Sequence, residues 1–299
     1  MVRCRPYASS LRPARLGTCA PYNAATWSSI DLSTDDDVEQ LHSAVRGADA
    51  VVHLTWGFQP SHREDQLAAL GVGGTQRVID AVTAAKVPHL VHMSSVGAYS
   101  PKQDDAPVDE SWPTGGVPTS MYGRHKATAE RLPDRLETDA PEVVVTRMRP
   151  GIVGLRNAGS ALLRYDLRAV TAQDIAHVVG ARLVHVPSAA VRAAVSVSWH
   201  ARVQPLDPGW VDMGFAVPLL DTTRATSELG WSPTKDALTV LAETIEGMRD
   251  SASDRSPVLR PRSVVRSLGR FARRGPVSSR QRPCPAPASD PSQHTGPAS

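Results

Sequence analysis

A tyrosine and a lysine stand four residues apart in the segment Met121-Tyr-Gly-Arg-His-Lys126. On a helix that spacing stacks both side chains on one face, so the ammonium can sit beside the phenol. A neighbouring positive charge favours the phenolate form. A phenol poised in this way can give or take the proton that accompanies hydride transfer at a carbonyl or carbinol. Upstream, Leu90-Val-His-Met-Ser-Ser95 reads as a short apolar strand ending in two hydroxyls. A serine at such an end can donate a hydrogen bond to the same substrate oxygen. The chain has four lysines and five tyrosines, so a pair at this spacing arises by chance in roughly 7% of shuffles. Alone, the pair equally describes a solvated Lys126 on a helix against which Tyr122 packs.

The elements that must position these groups follow from periodicity. Trp27–Asp31 reads as a short strand, and Ser33 or Thr34 as the cap of a helix whose first turn is acidic and whose apolar face is Val38, Leu41 and Val45. Ala48–Thr55 is a buried strand. The loop Trp56–His62 leads to a long helix with Val72, Val78, Ile79 and Val82 on its apolar face, stopped by Pro88. Leu90–Ser95 is the next strand, residues 99–120 form a long surface loop, and Tyr122–Glu137 is a helix with a potential break at Pro133. Val143–Arg149 is a further strand. Strands alternating with helices imply right-handed βαβ units and a parallel sheet with its reactive groups at the carboxyl ends of the strands. Thr55, Ser95 and Pro150 all fall at such ends. Further on, Thr171–Val179 reads as a capped helix, Leu183–Val186 as a short strand and Leu238–Met248 as a final helix.

Composition narrows the class. The 299 residues, 41% of them hydrophobic, suffice for a sizeable core. With the four arginines of residues 1–21 and the net +7 of residues 251–299 set aside, the overall +3 becomes −8 for residues 22–250. An acidic body with basic ends does not describe a nucleic-acid-binding fold. The three cysteines, Cys4, Cys19 and Cys284, all lie in the flanks, which argues against a disulfide framework. His89 and His92 sit on a strand at a spacing that points them to opposite faces, so no metal site is expected. No stretch is apolar enough to span a bilayer and the start has no signal-peptide core, so the expectation is a cytoplasmic protein without membrane contact.

Several ordered motifs in residues 27–165 resemble the extended short-chain dehydrogenase/reductase family of the NAD-dependent epimerase/dehydratase type. They are Asp31-Leu32, Ala50-Val-Val-His-Leu-Thr55, Gly73-Gly-Thr75, Ser94-Ser-Val-Gly-Ala-Tyr99, Tyr122 with Lys126, and Arg149-Pro-Gly-Ile-Val-Gly154. Asp221-Thr-Thr-Arg224 with Glu228-Leu-Gly-Trp231 and Pro233 resembles the family's closing signature. The resemblance implies a Rossmann-like, doubly wound parallel sheet in an α/β fold. It implies Tyr122 as general acid/base, Ser95 orienting the substrate oxygen, and Lys126 holding the nicotinamide ribose. Asp31, Leu32, His53, Leu54, Thr55, Pro150 and Val153 would border NAD or NADP, and Trp56, Phe58 and Ser95 the substrate. The implied substrate is a sugar nucleotide or a small hydroxy/keto compound. A homodimer through the helices containing Gly73–Lys86 and Tyr122–Glu137 is likewise implied.

The chain departs from that pattern in three places. Gly17 is the single glycine in residues 1–30, so the Gly-x-x-Gly-x-x-Gly turn that binds the cofactor pyrophosphate has no counterpart there. Gly71 stands where relatives carry asparagine, and a block near Tyr165 and Asp166 is shorter than in relatives. The expected organisation is therefore an aberrant or unstructured start (1–21), an incomplete Rossmann-like domain (22–165), a remnant of a substrate domain (166–250) and a disordered basic tail (251–299). A wrongly chosen translation start is one expectation for the opening segment. Without the family's first strand, the edge of Ala50–Thr55 should be unpaired, and the proline-bearing residues 1–21 are poor replacements. Two readings stay open: an NAD(P)-dependent oxidoreductase or isomerase, or a catalytically dead relative that binds a partner, including a nonfunctional fragment.

Overall fold

The computed structural model describes residues 7–8, 25–26, 28–57, 61–151, 171–250 and 252. Val51–His53 (β3), His89–Met93 (β4) and Val144–Met148 (β5) form a parallel sheet in the order β3-β4-β5. The register aligns Val51 with Leu90 and Val145, and His53 with His92 and Arg147. Those residues share one face, since side chains alternate along a strand. That face is covered, whereas Val52, Leu54, Val144 and Met148 of the opposite face are exposed at 57, 61, 60 and 40%. Parallel sheets are ordinarily buried on both faces; among the described residues this sheet is covered on one side only.

Two further strands make a separate pair. Tyr7–Ala8 (β1) runs parallel to Ser28–Ser29 (β2), with Tyr7 opposite Ser28 and Ala8 opposite Ser29. The sequence placed no element in residues 1–21, yet its periodicity signal could not register a strand of two residues. The expected unpaired edge is present: among the described residues β3 pairs with β4 alone. The β2 strand is also shorter than Trp27–Asp31, because the Asp31 amide donates to Asp37 Oδ2 at 2.7 Å and turns the chain away.

The helices pack as their apolar spacing dictates. Val38–Val45 (α1) buries Leu41, Ala44 and Val45, but begins after Asp37 and not at the expected Ser33 or Thr34 cap. Glu64–Ala68 (α2), a π turn over Ala69–Gly73 and Gly74–Ala84 (α3) follow one another without interruption. α3 contributes Val78, Ile79, Ala81 and Val82 to the core formed with Leu41, Val45, Leu90 and Leu136. It stops before Pro88 is reached. Lys86 takes a left-handed conformation (φ 52°), and the Val87 amide reaches back to the Val82 carbonyl at 3.0 Å, a Schellman turn with lysine in the glycine position. Met121–Asp139 (α4) passes through Pro133 without ending. Pro133 is among the most fully buried side chains, so packing offsets the lost N–H there.

The C-terminal part is helical. Ala172–Val179 (α5) has the expected start: Thr171 and Asp174 form a reciprocal capping box. Ser188–His200 (α6), Pro208–Ala216 (α7), Thr223–Leu229 (α8) and Ala237–Arg249 (α9) follow. The expected strand at Leu183–Val186 does not form, and Leu183, Val184 and Val186 are exposed. Among the described residues no neighbouring strand offers it hydrogen bonds, which a short apolar run needs to count as a strand. The stretch from residue 99 to 120 is tied down through Val108, whose amide donates to the Leu219 carbonyl and whose carbonyl accepts from the Asp221 amide.

Candidate active site around Tyr122

Tyr122 lies in the first turn of α4. Ser120 caps that turn, its hydroxyl accepting from the Gly123 amide at 3.1 Å. The phenol ring rests against Gly97, where an added Cβ would come within 2.8 Å of Tyr122 Cε1. Only glycine permits that approach. Ser95 reaches the same place from β4: it lies two residues past the strand's end, is 8% exposed, and its Oγ accepts from the Gly97 amide at 3.1 Å. The turn Val96–Ala98 thus brings Ser95 and Tyr122 together.

Lys126 lies one helical turn beyond Tyr122 and is 3% exposed. Its Nζ donates to the Met93 carbonyl at 3.1 Å and sits 3.6 Å from the centre of the Trp56 ring. Burial pulls its pKa down to about 7, against an opposing pull from Glu130. An ammonium has three donors, so one carbonyl and one indole face leave capacity for a further acceptor. The bland expectation of a solvated Lys126 is thereby excluded.

Trp56 occupies its position because of Gly71. A Cβ on residue 71 would meet the six-membered ring of the indole at 3.0–3.2 Å. The departure from asparagine at this position is therefore the space that the indole fills. The Gly71 carbonyl accepts from Thr75 Oγ1 at 2.6 Å, and Thr75 Oγ1 lies 3.0 Å from His53 Nε2.

Glu130, a turn beyond Lys126, is 2% exposed and binds Arg149 through two contacts of 2.9 Å. Burial, the largest single influence, opposes its charge, but the hydrogen bonds and charge of Arg149 together with Ser94 and His92 outweigh it and hold the carboxyl below its usual range. Arg149 leads into Pro150, whose carbonyl accepts from the Val96 amide at 3.0 Å. One buried ion pair thus links the helix bearing Tyr122 and Lys126 to the strand ends bearing Ser95. The four-residue steps Tyr122, Lys126, Glu130 make Glu130 legible in hindsight; its partner was not.

The other expected residues are placed as follows. His53 is buried and stacked on His92, with ring centres 5.7 Å apart. Leu32 is buried, while Leu54 is exposed and Thr55 half-buried. The Asp31 carboxylate accepts from the Ser33 amide and hydroxyl at 2.8 and 2.6 Å. Phe58 and Val153 lie outside the described residues. Two groups that the sequence did not mark also reach the start of α4. Trp210 of α7 is tilted against the phenol at 5.2 Å, and Met213 Sδ receives the Ser120 hydroxyl at 3.7 Å. Both come from a stretch that carried no motif.

A parallel α/β sheet with a tyrosine and a buried lysine at its strand ends defines a Rossmann-like protein of the Tyr/Lys type. The profile of the NAD dependent epimerase/dehydratase family matches residues 6–158, a little over half of the chain, and the chain belongs to that family. Among curated proteins it is similar to a 4-hydroxy-2-methyl-3-oxo-4-farnesyl-3,4-dihydroquinoline-1-oxide ketoreductase of Stigmatella aurantiaca, with 26% identity over 122 residues, 41% of this chain and 36% of that protein. The chain spans about a third of the length of the curated relatives it matches. Solved structures share the fold. The dTDP-glucose 4,6-dehydratase DesIV of Streptomyces venezuelae, with NAD and TYD bound, superimposes with a TM-score of 0.52 at 18% identity, covering 80% of this chain and 84% of that one. A mutant UDP-glucuronic acid 4-epimerase of Bacillus cereus, in complex with a fluorinated UDP-sugar and NAD, gives 0.51 at 16% identity, covering 77% and 83%.

The dinucleotide that the family name implies fits the residues around Lys126. That ammonium is buried, retains donor capacity, and lies one turn from the phenol, which suits a ribose hydroxyl. Among the described residues no helix start offers a pyrophosphate cradle on the adenine side. The approach to α1 carries Asp35, Asp36 and Asp37, with Glu39 in its first turn, a charge pattern that repels phosphate.

Proposed function

We propose that this chain is an NAD(P)-dependent epimerase/dehydratase-type oxidoreductase or isomerase in which Tyr122 moves the proton. The observation that carries the reading is Lys126, buried beneath the phenol and held by the Met93 carbonyl. When bound, the nicotinamide supplies a site that accepts or returns a hydride. Lys126 would hold its ribose, and Tyr122 and Pro150 would border it; Asp31, Leu32, His53, Leu54 and Thr55 follow from the family pattern on the adenine and β3 sides. Ser95 donates to the substrate oxygen, and Tyr122 exchanges a proton with that same atom as its carbon changes between carbonyl and carbinol. Trp56 borders the substrate. The neighbours that bind sugar nucleotides and the relative that reduces a ketone bracket the substrate: a small hydroxy/keto compound or a sugar nucleotide.

The test is thermal unfolding of the whole chain with and without NAD⁺ and NADP⁺, followed by turnover of the wild type and Tyr122→Phe. A transition raised by one dinucleotide, with turnover lost at least a hundredfold in Y122F, is the expected result. A cooperative transition that neither dinucleotide moves would replace the enzyme with a cofactor-free binding protein. That second reading has one observation in its favour: the Trp56 ring already covers Lys126.

A further inference from the structure

Trp56 touches both reacting groups at once. Its ring centre lies 3.6 Å from Lys126 Nζ, and it meets the Tyr122 phenol edge-on at 6.2 Å and 81°. The ammonium has donors to spare, yet at 3% exposure it is out of a ligand's reach in this arrangement. The indole itself belongs to no helix or strand. It stands in the segment that leaves β3, where the nearby Leu54 is 61% exposed.

The seat of the ring, by contrast, is built from backbone. Gly71 lies in the π turn Ala69–Gly73, a departure from α geometry that is frequent at functional positions. A Cβ there would stand 3.0, 3.1 and 3.2 Å from Trp56 Cη2, Cζ2 and Cζ3. The Gly71 carbonyl is held by Thr75 Oγ1 at 2.6 Å, and Thr75, buried, lies 3.0 Å from His53 Nε2. The seat is fixed, so the ring is the part that can move. Its energetics let it leave. A cation–π contact and a hydrogen bond from an ammonium to a hydroxyl are of similar strength, so sugar hydroxyls can replace the indole face without leaving the charge bare. The indole N–H, buried with no acceptor among the described residues, would gain one in water.

We propose that Trp56 is a displaceable plug: its indole occupies the place on Lys126 that a ribose hydroxyl of the dinucleotide takes, and the cofactor binds only when the ring leaves its seat on Gly71. This rests on the reading that Lys126 holds the nicotinamide ribose. It adds a competition within the chain, in which the apparent affinity for the dinucleotide is lowered in proportion to the fraction of molecules left open.

The chain has four lysines, Lys86, Lys102, Lys126 and Lys235, which makes the plug visible by NMR. In the full chain carrying lysine labelled with carbon-13 at Cε, the signal lost in Lys126→Arg assigns Lys126. The ring current of the indole should place its ε protons upfield of the other three, and Trp56→Leu should return them. Saturation with whichever of NAD⁺ and NADP⁺ raises the melting temperature should return them as well. Calorimetric affinity for that dinucleotide should tighten on the order of tenfold in W56L. Gly71→Ala, which fills the seat and leaves Trp56 and Lys126 in the chain, should reproduce both changes, and it stands in if W56L does not fold. Lys126 ε protons level with the others in the wild type, an upfield signal that persists in the dinucleotide complex, or affinity no tighter in either variant would each overturn the plug and leave the oxidoreductase reading in place. Binding of neither dinucleotide by wild type or variants would remove that reading, and the competition with it, even with the ring seated on Lys126.

Discussion

Gly71 and Trp56 show how one residue's absence of a side chain decides another's place. The indole lies where a Cβ on residue 71 would come within 3.0–3.2 Å, and its face carries the Lys126 ammonium at 3.6 Å. Backbone belongs to that contact on one side only, so the flexible partner must move. Gly71→Ala should displace the indole and destabilise the chain by about 1–3 kcal/mol. Urea unfolding followed by tryptophan fluorescence checks both effects. An unchanged midpoint with an unchanged emission maximum would mean that the ring is not seated there. At this scale the sequence was partly legible. Tyr122, Lys126 and Ser95 announced themselves by type and spacing, whereas Gly71 could be read only as a missing asparagine, because what fills a vacancy is a matter of contact.

Between elements, the pair Glu130 and Arg149 carries the alignment. Glu130 is 2% exposed on α4 and Arg149 follows β5, so neither charge can be left alone cheaply. Glu130→Gln leaves the guanidinium without its carboxylate and should cost about 3–5 kcal/mol in urea unfolding. Glu130→Leu combined with Arg149→Met should recover much of that loss, since removing both charges removes the desolvation cost as well. A double variant no more stable than E130Q would show that packing, and not charge, dominates. Elements of long periodicity were legible: α3, α4, α5 and α9 fall close to their expected places. The run Leu183–Val186 was misread because an apolar tetrapeptide is a strand only when a partner strand stands beside it, and β1 was missed because two residues carry no period.

Across the whole molecule, the core under the site contains two neutral histidines. Burial, then the neighbouring His92 and Lys126, lowers His53 to about 3. Burial and Lys126 chiefly lower His92 to about 4, against Glu130, with Arg147 and Arg149 adding to the lowering. Both stand below the ordinary 6.5, so the unfolded chain binds more protons than the folded one in that window. Their contribution is complete above pH 6.5 and is lost as pH falls through about 4 and then about 3. His92, buried with neither ring nitrogen hydrogen-bonded among the described residues, accounts for on the order of 3 kcal/mol of this. His92→Phe should flatten the fall in stability between pH 6.5 and 4, measured by urea midpoints at successive pH values. An equally steep fall in H92F would assign the acid limb to other groups. No helix among the described residues is long and apolar enough to cross a membrane.

By itself the sequence determined the Rossmann-like class and marked the Tyr122–Lys126 pair as the candidate site, because a period of two or nearly four residues and a Tyr–Lys spacing are local properties that survive in one dimension. It also led to the expectation of a β3 edge without a partner, and among the described residues β3 pairs with β4 alone. Tertiary structure alone decided that Lys126 is buried under an indole, that Glu130 finds Arg149, and that Trp210 of α7 leans on Tyr122. These contacts join residues 19 to 88 positions apart in the chain. Their energies come from burial and ring geometry, which no spacing in the sequence encodes.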